Sequence, residues 1–330
     1  MFTPGPERAG APLQEIALTD PQNDITIRSI TGAEELDLFC ALDYILNDEL
    51  ADDLASGRRR PQWMWVALRG EHLVARAAWW GSADDAAPSL LDILDVADDP
   101  DRVDVGVRLL KSALSEIIPT GTRPPEYSRF IPPDWREHAS SRHAVEDRMA
   151  IVGQIGAHLL TERFRFEWRP GTPIDAPTGR IEFRPVSDDG ELLDLMTLAM
   201  DGTLDAHSQQ DLALMSPRQG AVRHFEEELA CYSSPRQWWQ IATLPGGEPA
   251  GFVIPARNNY HAIIAYLGVL PTQRGNGYIN EILAEGTRIL AAQDVPRIRA
   301  STDLDNVPMA EAFARARWVN FERSISMTWQ

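Results

Sequence analysis

The chain has 330 residues, 44% of them hydrophobic, enough for two domains of ordinary size, each with a core of its own. A formal charge of -18 works against nucleic-acid partners, because a polyanion is repelled before contact forms; the excess acids read either as a pull on a cationic substrate or as a solvated surface. The two cysteines, Cys40 and Cys231, lie far apart and suggest neither a disulfide framework nor a ligand cluster, so no metal is expected and a reducing cytoplasm fits.

Residues 1–24 are rich in Pro and Gly, with neither a basic segment nor an apolar core, and read as a flexible tail and not a targeting signal. A strand is predicted over 25–30, then helices through about Leu54, then two strands at 63–68 and 73–80 that turn at Gly70. A further apolar strand at 89–96, a helix over 105–118, a short strand near Arg129, a helix over 144–160 and a strand at 163–168 follow. Residues 169–179, dense in Pro and Gly, read as a linker, so domains over 25–168 and 181–330 are expected, joined by 169–180. No apolar run approaches the length of a membrane span, and no membrane partner is expected.

The second half echoes the first. Ile181, Phe183, Arg184 and Val186 repeat the pattern of Ile25, Ile27, Arg28 and Ile30, and Trp239, Ile241 and Ala242 repeat that of Trp65 and Ala67. Glu322 and Arg323 before Trp329 echo Glu162 and Arg163 before Trp168. This reads as two copies of one fold.

The organising stretch is residues 266–283. An apolar strand over 262–269 breaks at Pro271, turns through Gly275 and Gly277, and continues as a helix whose apolar face is Ile279, Ile282, Leu283, Gly286, Ile289 and Leu290. The unpaired amides of the first helical turn, at the positive end of the helix dipole, suit an anion, and glycines let a phosphate come close to the backbone. Arg274 could add a charge-assisted bond. A plain strand-to-helix turn would carry the same glycines. Neither a Walker loop nor a dinucleotide fingerprint fits, since the Gly-Lys-Ser/Thr ending and the third glycine are both missing.

Arg274-Gly275-Asn276-Gly277-Tyr278-Ile279, preceded by Leu267-Gly268-Val269-Leu270-Pro271, resembles the pyrophosphate loop of the GNAT superfamily of acyl-CoA-dependent N-acyltransferases. Asp305-Asn306-Val307-Pro308-Met309, followed by Phe313 and Trp318, resembles that family's second signature. The resemblance covers about half the chain, from about Arg180 onward. It implies an α/β fold with two tandem copies, each a mostly antiparallel sheet with a splayed parallel strand pair at its centre, flanked by helices. It also implies acetyl-CoA as acyl donor, a small-molecule amine as acceptor, and direct attack in a ternary complex. By resemblance the backbone near Leu267, Gly268 and Val269 would face the pantetheine arm, the amides of Arg274, Gly275, Asn276, Gly277, Tyr278 and Ile279 would hold the pyrophosphate, and Asn306, with Met309 and Phe313, would steady the thiol end. Two departures stand out: Ile279 occupies a Gly or Ala position, and Phe313 occupies the position where many members carry a tyrosine general acid.

In the first half, the segment after the central strand is Ala97-Asp98-Asp99-Pro100-Asp101-Arg102-Val103-Asp104-Val105-Gly106. Carboxylates beside a pyrophosphate repel it, so this half is expected to have lost tight CoA binding, unless the divergent loop still makes longer contacts.

For the chemistry, a backbone amide near Leu267 could serve the oxyanion, and Tyr266, Ser301 or a water could protonate the leaving thiolate. Asp303, just past the strand 297–301, could take a proton from the amine or could cap the next helix. Asp201, Asp205 and His207 fall in the helical region that the resemblance places over the acceptor; each could bind or deprotonate an amine or simply face solvent. A non-catalytic acyl-CoA sensor is the alternative function, and a protein acetyltransferase a third.

Overall fold

Short runs of alternating apolar and polar residues form the strands, and 3.6-residue periodicity forms the helices between them. The computed structural model describes residues 25–329; the expected tail over 1–24 lies outside the described residues. The first half runs β1 (Ile25–Ser29), α1 (Leu36–Phe39), α2 (Leu50–Ala55), β2 (Met64–Arg69), β3 (His72–Trp80), β4 (Leu90–Val96), α3 (Arg102–Ile117), β5 (Glu126–Ile131), α4 (Ala139–Gln154) and β6 (Ala157–Trp168). The second runs β7 (Glu182–Pro185), α5 (Asp189–Ala199), α6 (Ala206–Leu214), α7 (Pro217–Glu227), β8 (Gln240–Thr243), β9 (Pro249–Arg257), β10 (Ala262–Val269), α8 (Tyr278–Ala291), β11 (Ile298–Asp303), α9 (Val307–Arg315) and β12 (Val319–Trp329).

All twelve described strands join one sheet in the order β1-β2-β3-β4-β5-β12-β6-β11-β10-β9-β8-β7. Only β4/β5 and β10/β11 are parallel, and each pair keeps two residue pairs before splaying: Leu90 and Leu91 opposite Glu126 and Tyr127, and Ala262 and Ile263 opposite Ile298 and Arg299. A mixed sheet with one splayed parallel pair in each half agrees with the expected fold.

The closing strands are exchanged. β6, the last strand of the first half, pairs with β11 of the second, and β12, the last strand of the chain, lies between β5 and β6. The expected helix over 144–160 ends at Gln154; Gly156, at φ 97°, turns the chain, and 157–162 becomes the first half of a strand because β12 pairs along it, while β11 joins on the other side only from Arg163 onward.

Helices cover both faces of the second half's sheet, which is why β9 reads as a near-continuous apolar run. Its Val253 packs with Ile282, Leu283 and Leu290 of α8, while Phe252 and Ile254 pack with Leu195 and Met196 of α5 and Phe225 of α7. α8 lies close to the sheet at Gly286, where an added Cβ would fall 2.6 Å from Val253 Cγ2.

Candidate functional site

β10 delivers the chain through Pro271–Gln273 into a turn whose glycines adopt left-handed backbone, Gly275 at φ 83° and Gly277 at φ 76°. Gly277 is the N-cap of α8, and it has no capping side chain. The backbone N–H groups of residues 275–279 have no hydrogen-bond partner among the described residues. Five neighbouring donors at the positive end of a fourteen-residue helix form an anion cradle. Glu281, the one acid in that first turn, is paired with Arg180 at 2.6 Å and bonded by Thr178 Oγ1 at 2.7 Å, so its charge is offset.

Arg274 is turned away from this cradle. Its guanidinium donates to Asp201 O at 2.6 Å, Gly202 O at 3.2 Å and Ala199 O at 2.8 Å, and its Nε to Val269 O at 3.2 Å. The last carbonyl of α5, Ala199 O, and those of Asp201 and Gly202 in the turn after it lie at the negative end of the helix dipole, and they claim the cation. The expected side-chain bond from Arg274 to phosphate is therefore replaced by a clamp that fixes the turn to α5. Asn276 also points inward on the turn: its Nδ2 donates to Gln273 O at 3.1 Å and its carbonyl accepts from Arg180 at 2.9 Å.

Pairing of β10 with β11 stops at Ile263, which opens the far edge of Leu267, Gly268 and Val269 to a cleft of about 930 Å³. Gly251 and Gly268 let β9 and β10 sit close, since a Cβ on Gly251 would fall 2.3 Å from Gly268 O. A bulge between Ile264 and Tyr266 re-aims the tyrosine, whose ring packs 4.8 Å from His224 and 5.2 Å from Phe252. Burial, with the Asp205 carboxylate adding, pushes its phenol above the ordinary value.

Tyr278, Ile279, Asn306 and Met309 line the same cleft, and Asn306 also caps α9 by accepting from Met309 N at 3.4 Å. Phe313 does not reach it. Fully buried, it stacks on Phe166 at 4.6 Å and meets Trp318 at 5.2 Å, a packing role that follows from an aromatic on the apolar face of α9.

Asp205 and His207 line the cleft, whereas Asp201 contributes only its carbonyl to Arg274. Asp205 caps α6 through Ser208 N at 2.8 Å and pairs with Arg163; burial would raise its pKa, but Arg163 outweighs this and holds it low. Asp303 is buried with both oxygens engaged, by Arg163 Nε at 2.5 Å and Ala206 N at 2.6 Å, and Asn306, not Asp303, caps the next helix. His207 Nε2 lies 2.9 Å from Glu126, and its buried Nδ1 has no partner among the described residues. Burial alone would lower the imidazole pKa, but the Glu126 carboxylate raises it on balance.

Sequence reasoning missed several wall residues. Phe130, Arg163 and Arg165, and Glu126 behind His207, come from the first half, brought over by the exchanged strands. His224, Glu228 and Tyr232 come from α7 and the turn after it. The capping box Ser216-Pro217-Arg218-Gln219 signals the start of α7, and nothing local signals which of its faces meets the cleft.

The corresponding splay in the first half is filled. By register Asp95 stands where β10 has Gly268, and Arg76 where β9 has Phe252. Arg129 and Arg148 donate to Leu94 O at 3.2 and 2.9 Å, and each reaches Asp95 at 2.7 Å, with Arg76 Nε on the same carboxylate at 3.0 Å. In the acidic loop, Arg69 bridges Asp99 and Asp101, and Arg102 pairs with Asp147.

Among the described residues no group of His, Cys, Asp and Glu is arranged to hold a metal, and no helix is long and apolar enough to cross a membrane. Residues 205–317 match the model of the acetyltransferase (GNAT) family. No curated protein matches the chain. Similar solved structures include a GCN5-related N-acetyltransferase from Sphaerobacter thermophilus, with TM-score 0.60 and 14% identity over 92% of this chain and 95% of that one. Another, from Kribbella flavida, has TM-score 0.50 and 12% identity over 90% and 96%. The glucosamine N-acetyltransferase region of a fungal multi-domain β-N-acetylglucosaminidase has TM-score 0.54 and 14% identity over 96% of this chain and 39% of that one. This chain thus has the fold of the GNAT acyltransferases, and its residues 205–317 are similar to the acetyltransferase (GNAT) family.

Proposed function

We propose that the chain binds one acyl-CoA in the cleft beside β10 and transfers the acyl group to the amine of a small polar molecule by direct attack in a ternary complex. The unpaired amides of residues 275–279, at the mouth of a splayed strand pair, carry this reading. They suit the diphosphate, the open edge of Leu267 to Val269 suits the amides of the pantetheine arm, and Asn306 and Met309 line the wall that continues from them. Acetyl-CoA, when bound, supplies an acyl carbon activated as a thioester.

Tyr266 keeps its proton at neutral pH, because burial raises its phenol. A phenol of ordinary pKa about 10 already lies about 2 kcal/mol uphill of a thiol near 8.5, so Tyr266 serves as a hydrogen-bond donor to developing charge and not as a full acid. His207 is the fitting proton acceptor: Glu126 orients one ring nitrogen and raises its basicity, while Nδ1, buried in the cleft wall, has no partner among the described residues. Asp303, with two donors on its carboxylate, acts through Arg163 and the start of α6 as a positioning residue. The first half, whose Leu94 carbonyl is bonded by Arg129 and Arg148, takes no CoA.

Calorimetric titration with acetyl-CoA should give one site per chain, and thiol release should follow addition of a suitable amine. Gly275→Asp places a carboxylate in the cradle where an added Cβ meets nothing within 4 Å. It should weaken acetyl-CoA binding at least tenfold more than Gly275→Asn, which carries the same left-handed strain at φ 83° without the charge; equal affinity in the two variants would sink the assignment. The buried Phe313, with no proton to give, favours a second reading, an acyl-CoA sensor. Tight binding without thiol release across a broad amine panel would support it.

A further inference from the structure

At the closed end of the splay, the strand rise of about 3.3 Å per residue places Ile263 about 20 Å from the end of β10, well away from the diphosphate cradle. The wall there is basic. Arg165 of β6, Arg299 of β11 and His261 of the β9–β10 turn all face the cleft. Both guanidinium groups flank the ring of Phe321, at 5.3 and 4.5 Å.

Their charge is under-compensated. Arg299 bonds Glu167 at 3.2 Å, but the same buried carboxylate also pairs with Arg169 and lies 3.9 Å from Arg297. Arg165 has Glu322. Glu49, the next carboxylate in range, makes no hydrogen bond to either arginine. Four guanidinium groups therefore share two bonded carboxylates, and Nη2 of Arg165 and Nη2 of Arg299 have no acceptor among the described residues.

His261 registers the imbalance. It accepts from Arg299 at 2.8 Å, and burial together with Arg299, Arg297 and Arg165 lowers its pKa to about 4. Burial lowers Arg165 to about 10 as well, with Arg299 adding to the effect. Half-buried positive charge with free, convergent donors on a cleft wall fits an anion better than it fits a closed ion-pair network.

We propose that Arg165, Arg299 and His261 form the anion-binding part of the acceptor site, so that the accepted amine also carries a carboxylate or a phosphate. The proposal rests on the reading of this cleft as an acyltransferase site, and it reverses the expectation from net charge alone.

Two measurements on the full chain test it. Matched acceptors, an amino acid against its amide and an amino-sugar phosphate against the free amino sugar, separate carboxylate from phosphate. One anionic member should be favoured at least tenfold in kcat/KM, mainly through KM. Arg299→Gln and, as a second variant, Arg165→Gln should reduce that preference below threefold while leaving KM for acetyl-CoA unchanged. Independently of turnover, inorganic phosphate or acetate should raise the NMR titration midpoint of the His261 imidazole by one unit or more, an effect lost in Arg299→Gln. Equal use of both members of each pair, or a His261 midpoint that neither anion moves, overturns the proposal. Failure of acetyl-CoA to bind would instead strike the acyltransferase reading, and the His261 titration would still decide this one.

Discussion

Gly251 shows how one missing side chain sets the width of the site. A Cβ there would collide with Gly268 O at 2.3 Å and Ile282 Cδ1 at 2.7 Å, and the first of these is backbone with nowhere to go. Gly251→Ala should destabilise the chain by about 3 kcal/mol in chemical denaturation and weaken acetyl-CoA binding, since overpacking forces the strands apart. The Glu126–His207 pair gives a pH signature. Glu126 is lowered on balance, burial notwithstanding, so its contribution is present above about 4.5 and is lost as pH falls through its folded value; His207 is raised, so its contribution is present below 6.5 and fades as pH rises through its folded value. The pair therefore stabilises most between those limits, and Glu126→Gln should cost more at about pH 6 than at about pH 8.5; equal cost at both would remove the pair from the ledger. The glycines of the turn were legible from sequence because left-handed backbone is a local demand. The partner of His207 was not, because Glu126 lies 81 positions away and belongs to another strand.

α5 and the turn before α8 behave as one unit because Arg274 spans them. Its four hydrogen bonds hold Ala199 O at the end of α5, Asp201 O and Gly202 O in the turn after it, and Val269 O, and a Cβ at Gly202 would crowd the same guanidinium at 3.1 Å. Arg274→Met should therefore speed hydrogen exchange over residues 199–206, at a cost of about 1–2 kcal/mol in local stability, and weaken acetyl-CoA binding indirectly. Unchanged exchange there would show that the clamp does not hold the loop. The arginine's position in the motif was readable; its direction was not, because it depends on where a helix that ends 75 positions earlier happens to stop. β6 was only half readable: Phe164, Phe166 and Trp168 alternate as a strand, whereas Ala157 to Glu162 carries no such alternation and is strand because β12 pairs along it.

The whole molecule is tied together by the exchanged strands. β12 supplies a pairing edge to both β5 and β6, so a chain ending at Arg317 should lose cooperative folding in both halves, and the full chain should melt in one calorimetric transition. Two independent transitions, or a folded second half without β12, would contradict this. The internal repeat was visible in the sequence. The exchange was not, because Glu162, Arg163 and Trp168 carry the same signal as Glu322, Arg323 and Trp329, and nothing local says which copy each strand joins.

One consequence concerns inheritance. Arg163 and Arg165 reach the working cleft only because β6 crosses over, and Glu126 follows on the neighbouring side of β12. If the proposed function holds, a segment whose own splay is plugged writes part of the recipient's specificity. Drift in that segment would change which molecule is modified while donor use stays constant, so relatives with identical diphosphate turns could still differ in what they modify.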